Sequence, residues 1–229
     1  MVTCIQHRWN LSESEAIELQ SELAQKVITE DQFTPIHHVA GVDVAYSKNN
    51  DTLIAAIVVL ELNSLKIVES VVVEDRVQFP YIPSLFSFRE LPPIIKAFEK
   101  IKNTPQLVVC DGQGLAHPRR FGLACHLGVL YDIPTIGCGK TRLLGSFSEP
   151  DQYRGAQSPL FDNNEIIGNV LRTQESIKPI FVSIGHRISL TTACQWILKL
   201  SPKYRLPETT RQADQLVKKS FSHHSHFLI

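Results

Sequence analysis

His38-Val39-Ala40-Gly41-Val42-Asp43-Val44-Ala45-Tyr46 is an apolar, Val-rich run with a single acid inside it. It reads as a β-strand, and two more runs rich in Val and Ile follow closely, at Leu53–Leu62 and Leu65–Val77. The links are polar: Ser47–Thr52, then the tight Asn63-Ser64 pair. Three successive strands joined by short polar links predict an antiparallel meander.

On the N-terminal side, Ser12 and Glu15 have the spacing of a capping box, and Ala16, Leu19, Leu23 and Val27 recur at helical spacing. After the meander, residues 86–102 read as a helix, with Pro92-Pro93 suiting a first turn better than an interior. The chain then alternates. Gln106–Cys110 and Pro134–Cys138 read as short strands around a helix at Arg119–Tyr131. Gly168–Arg172 and Ile180–Ile184 read as further strands, and helices are expected at about residues 189–200 and 208–219. This order predicts an α/β fold, a mixed central β-sheet flanked by helices. One domain is expected over residues 1–220, with 221–229 as a loose tail that has no helical or strand period.

The chain has 229 residues, which at roughly 150 residues per domain fits one domain, at most two. Hydrophobic residues make up 43% and charged residues 20%, which excludes wholesale disorder. No apolar run approaches the roughly 20 residues of a membrane span, so no membrane association is expected. Nor does the acidic N-terminal segment have the apolar core of a secretory leader. The five cysteines are widely spaced and odd in number, which fits reduced thiols in a cytoplasmic protein and offers no zinc-ligand spacing.

Lys+Arg and Asp+Glu balance at 23 each, a net charge of zero that argues against a uniformly basic nucleic-acid binder. The distribution is uneven, however. Residues 1–31 hold two bases and six acids, whereas 167–219 hold nine bases and three acids. The stretch 117–142 adds four bases against Asp132 alone. Affinity for a phosphate backbone through these basic stretches would fall with added salt.

Asp43 lies within an apolar strand, where an ionised carboxylate is costly unless paired; the alternative is the polar side of an edge strand. Asp111 follows the apolar strand Leu107-Val108-Val109-Cys110 and opens the turn Asp111-Gly112-Gln113-Gly114. A strand's carboxyl end is where open α/β sheets place their sites, although an Asp also simply starts turns. Two acids at the ends of neighbouring strands can share a divalent cation, and Mg²⁺ prefers hard oxygen ligands. Glu90 and Asp214 read from pattern alone as ordinary helical acids, Glu90 in a first turn. Three basic turns follow apolar strands: His117-Pro118-Arg119-Arg120, Gly139-Lys140-Thr141-Arg142 and Gly185-His186-Arg187. Converging on one edge of the sheet, they would bind phosphates. Gly139-Lys140-Thr141 lacks the upstream glycine of a phosphate-cradling loop for nucleotides. Phe79-Pro80-Tyr81-Ile82-Pro83 holds an aromatic and a branched side chain between two prolines; it reads as a wedge for a base stack or as a turn with Tyr81 folded inward.

Together these runs resemble the endonuclease V family of deoxyinosine 3′ endonucleases. The matching segments are Gly41–Tyr46, Pro80–Pro83, Ser87–Glu90, Asp111–Gly114, His117–Arg120, Pro134–Gly137, Gly185–Arg187, Tyr204–Glu208 and Arg211–Asp214, in the family's order over about residues 12–218. The resemblance implies a ribonuclease-H-like fold and a Mg²⁺-dependent endonuclease, with Mn²⁺ as substitute. It implies recognition of hypoxanthine (inosine) in DNA and cleavage at the second phosphodiester bond on the 3′ side. Carried over, Asp43, Asp111 and Glu90 resemble metal ligands, with Asp214 completing the catalytic acids and Lys140 near the scissile phosphate. Pro80, Tyr81 and Ile82 resemble the strand-separating wedge. Gly112, His117, Gly137 and Arg119 resemble substrate-binding positions around the flipped base. A monomer is expected. Ser84 stands where the family's loop more often has Gly, Gly139 and Thr141 flank Lys140 unusually, and Gln212 replaces an aromatic. Alternatives are cleavage of inosine-containing RNA, a ribonuclease-H-like activity on hybrids or junctions, and a non-cleaving inosine-binding module.

Overall fold

In the computed structural model, which describes residues 1–47 and 51–224, the Asp43 run is strand β1 (His38–Tyr46), the third strand from one edge of an eight-stranded sheet. Before it comes helix α1 (Glu13–Ala24), capped as expected. The Ser12 hydroxyl accepts from the Glu15 N–H at 3.3 Å, and the Glu15 carboxylate accepts from the Ser12 N–H at 2.8 Å. Strands β2 (Thr52–Glu61) and β3 (Ile67–Arg76) complete the meander, antiparallel throughout. Part of the link between β1 and β2, residues 48–50, lies outside the described residues.

Next come helix α2 (Phe86–Phe98), strand β4 (Leu107–Cys110), helix α3 (Leu123–Tyr131) and strand β5 (Thr135–Gly139). Strands β6 (Gln157–Asp162), β7 (Glu165–Leu171) and β8 (Ile180–His186) and helices α4 (Leu190–Leu200) and α5 (Glu208–His224) end the chain. The sheet order is β3-β2-β1-β4-β5-β8-β7-β6. β1, β4 and β5 run parallel, and every other pairing is antiparallel. The first five strands, with the helices between them, have the ribonuclease-H-like arrangement.

Alternation along β1 divides the core. Ala40 and Val42 pack on one face with Leu91, Ile94, Phe98 and Leu127 from α2 and α3. Val39 packs on the other with Val109, Ile136, Ile197 and Ala213. Helices on both faces explain why the central strands are almost wholly apolar.

The structure differs from the sequence expectations at five places. Pro92 and Pro93 lie inside α2. Burial of Phe88, Leu91, Ile94, Ala97 and Phe98 outweighs a proline cost of roughly 3 kcal/mol per interior position. Helix α3 begins at Leu123 rather than Arg119, because Arg120 takes a left-handed backbone (φ 53°) and Gly122 is the N-cap. Strand β6 was not expected; Pro159 masks its alternation, yet the Asn163-Asn164 turn (φ 49° and 66°) has the paired positive φ of a tight hairpin. Helix α5 continues to His224, into the segment expected to be loose, while 225–229 lie outside the described residues. Finally, β8 runs antiparallel to β5, with Thr135 beside His186, so Gly185-His186-Arg187 sits at the opposite end of the sheet from Lys140. There Arg187 and His186 pair with Asp132, at 2.5 and 3.1 Å.

Gly41 brings α5 against the sheet. A Cβ at Gly41 would lie 2.2 Å from the Thr209 carbonyl carbon, a backbone atom in the first turn of α5. Gly41→Ala is therefore expected to cost about 1–3 kcal/mol of stability through overpacking. Urea denaturation checks this: the midpoint should fall with the m-value unchanged, whereas a wild-type midpoint would contradict the close approach.

Candidate active site

Parallel register decides where the first two acids meet. Val42 of β1 pairs with Cys110 of β4, so the next residues, Asp43 and Asp111, emerge side by side at the same end of the sheet. The Asp111 N–H donates to the Val42 carbonyl at 3.3 Å and continues that register. Because β1 lies between β2 and β4, the edge-strand alternative for Asp43 does not hold. Helix α5, held close at Gly41, adds Asp214. The three side chains offer carboxylate oxygens within 4.8 Å of one another.

Lys140, just past the end of β5, bridges this group. Its Nζ donates to Asp111 Oδ2 and lies 3.4 Å from Asp214 Oδ1. Its main chain is fixed by Arg205, whose guanidinium donates to the Lys140 carbonyl at 2.8 Å and to the Pro179 carbonyl at 2.9 Å. Burial pushes Asp43 up to about 7, the Asp111 charge adds to it, and Lys140 opposes. Burial pulls Lys140 down, but its hydrogen bond to Asp111 and the surrounding carboxylates carry it above the usual range. For Asp214, burial is outweighed by hydrogen bonding to Lys218 and the Lys140 charge, so its carboxyl is held low.

Glu90, expected as a first-turn acid, is the fifth residue of α2 and accepts from the Tyr46 hydroxyl at 2.8 Å. Burial pushes it up to about 7, against the Tyr46 hydrogen bond. Asp214, not Glu90, completes the close carboxylate group. Glu90 and Asp111 instead line a cavity of about 290 Å³ together with Gly112, His117, Leu123 and Leu143. The metal-ligand reading thus gathers Asp43, Asp111 and Asp214, with Glu90 on the adjoining cavity wall.

The remaining expected positions separate. Tyr81 is 66% exposed, its ring edge-on to Phe86, so the inward-folded alternative does not hold. Pro80 is exposed beside it, while Ile82 packs against the cluster of Phe79, Leu85 and Phe88. Gly112 and His117 line the cavity. Gly137 does not; it lies within β5, where a Cβ would come within 2.4 Å of the Gly114 amide nitrogen. His117 has both ring nitrogens engaged, Nε2 with the Ser84 carbonyl at 2.9 Å and Nδ1 with the Arg119 N–H at 3.2 Å. Burial, then the Arg119 charge, pulls it down to about 4, so the ring is neutral near pH 7. Arg119 turns its guanidinium toward Gln20 and Ser84. Tyr46 and Arg205 were not picked out as functional, and their only sequence signal is membership of the runs that carry Asp43 and Glu208.

Carboxylates from within β1, from the turn after β4 and from α5 converge beside a ribonuclease-H-like sheet and suit a hard divalent cation, and they define the class: a metal-dependent nuclease. Comparison with known proteins supplies the family. The endonuclease V pattern matches residues 21–215, and the chain belongs to the endonuclease V family. Endonuclease V of Trichormus variabilis is 50% identical over 211 residues, 92% of this chain and 96% of that one. The crystal structure of endonuclease V from Streptomyces avermitilis superposes with a TM-score of 0.91 at 44% identity, covering 96% of this chain and 98% of the other. That of Ciona intestinalis endonuclease V, in complex with a 24-mer DNA containing an inosine followed by a ribo-adenosine, superposes with a TM-score of 0.80 at 29% identity, covering 92% and 98%. Among the described residues, no helix is long and apolar enough to cross a membrane.

The raised Asp43 carboxyl has a consequence for stability. Its folded form holds a proton that the unfolded chain releases near the usual carboxylate range, so stability falls as pH rises from about 4 toward 7. Asp43→Asn removes this penalty. In thermal denaturation with a chelator, the variant's gain in Tm over wild type should be larger at pH 8 than at pH 4. A gain independent of pH would contradict the raised carboxyl.

Proposed function

We propose that this chain is an endonuclease that recognises hypoxanthine in DNA and hydrolyses the second phosphodiester bond on its 3′ side, using Mg²⁺ with Mn²⁺ as substitute. The observation that carries the reading is the cavity beside the carboxylates: Asp111 belongs to both, so a base in the cavity brings its own strand past the cluster. The Ciona relative's complex with inosine-containing DNA supports the substrate class.

In this reading Asp43, Asp111 and Asp214 hold the cation, with Glu90 at the adjoining wall. A bound divalent cation would neutralise the phosphate charge and acidify the attacking water. Lys140, held between Asp111 and Asp214, stabilises charge that builds on the phosphate oxygens. Tyr46 keeps Glu90 in place through its hydroxyl. The exposed Tyr81, with Pro80 and Ile82, enters the stack as the base leaves it, and extrusion costs a few kcal/mol, least for a mispaired base. Hypoxanthine differs from adenine by O6 and a protonated N1, an edge that backbone amides in the Gly112 turn can read. In the same reading the chain acts as a monomeric single domain in the cytoplasm, which its five unpaired cysteines support.

RNA is a second substrate reading, favoured by the ribo-adenosine that follows the inosine in the Ciona complex. One assay tests both: DNA and RNA strands carrying inosine or adenosine, incubated with Mg²⁺ or with chelator. Expected is nicking of the inosine strand alone, at the second 3′ bond, and none with chelator. Equal cutting of inosine and adenosine strands, or cutting that survives chelation, would contradict the proposal, and the faster of the inosine substrates identifies the polymer.

A further inference from the structure

The Ser84 carbonyl, which closes the Pro80–Pro83 loop, collects three donors from two other parts of the fold. Gln20 Nε2 from α1 reaches it at 3.1 Å, and His117 Nε2 and Arg119 Nη2 reach it from the loop between β4 and α3 at 2.9 and 3.0 Å. Arg119 Nη2 also donates to the Ser84 hydroxyl at 2.8 Å, while that hydroxyl donates to the Pro83 carbonyl at 2.5 Å. Ser84 has φ 65°, a left-handed conformation that a side-chain-bearing residue adopts only when its surroundings hold it there.

Gln20 is the hub. It is 0% exposed, and both amide atoms are engaged: Nε2 also donates to the Phe121 carbonyl at 2.7 Å, and Oε1 accepts from Arg119 Nε. The amide orientation follows from these partners, because only the nitrogen can face two carbonyls and only the oxygen can face the guanidinium. Arg119, expected at the substrate, spends its Nε and Nη2 groups inside the protein.

We propose that Gln20 and Arg119 are positioning residues that clamp the wedge loop at Ser84, so that Tyr81 is presented in a fixed pose before duplex DNA arrives. The inference rests on the wedge role given to Tyr81 under Proposed function. Presenting a rigid loop lowers the ordering cost at binding, so the clamp acts on duplex recognition rather than on phosphodiester chemistry. An unpaired strand needs no wedge, and the clamp is indifferent to it.

The test measures kcat and KM for wild type, Gln20→Leu and Arg119→Lys on duplex and single-stranded DNA carrying one inosine, with adenosine controls and melting curves for folding. Lysine keeps the charge a phosphate contact would use but loses the fork that bridges Gln20 and Ser84. Both variants should raise KM on the duplex by about tenfold, equal to about 1.4 kcal/mol, with kcat and the single-strand KM within about twofold of wild type. Wild-type KM on the duplex, or equal losses on both substrates, would overturn the clamp. So would an Arg119→Lys protein indistinguishable from wild type, and that variant carries the test if Gln20→Leu fails to fold. Wild-type protein that does not distinguish inosine from adenosine strands would instead remove the substrate reading, and the inference with it.

Discussion

Asp43, Asp111 and Asp214 are held with oxygens within 4.8 Å of one another, an arrangement their charges oppose. At that separation each like-charged pair costs on the order of 3 kcal/mol at an effective dielectric constant of about 20. Much of the fold resists this repulsion. The parallel register of β1 and β4 fixes two of the acids, and the glycine at position 41 admits the backbone of α5 with the third. Lys140, anchored through its carbonyl by Arg205, supplies the positive charge. Burial first, and the Asp111 charge after it, push the Asp43 carboxyl up, and a divalent cation would offset both.

The two ends of the sheet use charge differently. Where β4 ends beside Asp43 of β1, charge is concentrated, partly buried and placed beside a cavity. At the other end, Asp132 closes a local network with Arg187 and His186, which ties the end of β8 to the turn after α3. Zero net charge is thus an average over separated populations: an acidic N-terminal segment and carboxylate cluster, and bases gathered in the later turns and helices. A basic coat is not required when the cation that meets the phosphate is bound rather than covalent.

Much of this was legible in the sequence. The meander and the alternating strands and helices gave the mixed sheet, because buried strands carry a strong apolar signal. Asp43 and Asp111 stood out as acids against apolar runs. What escaped was long-range. Asp214 looks like any helical acid until α5 is packed on Gly41, and Glu90 like any acid near a helix start until Tyr46 is seen above it. Strand direction leaves no trace in periodicity, so a shared edge for all three basic turns is open from the sequence, and the antiparallel β8 takes Gly185-His186-Arg187 away from it. By resemblance, Arg119 and His117 match substrate-binding positions. Their hydrogen bonds, however, run to Ser84 and Gln20, partners 33 to 99 residues away that no local pattern connects.

Asp43 of β1, Asp111 after β4 and Asp214 of α5 form the group proposed to hold a divalent cation. Anomalous diffraction from crystals soaked in Mn²⁺ tests it most directly. A strong peak is expected, bounded by the Asp43, Asp111 and Asp214 carboxylates and lost in crystals of Asp111→Asn. A well-ordered carboxylate group with no peak beside it, or a peak that survives the substitution unchanged, would contradict it.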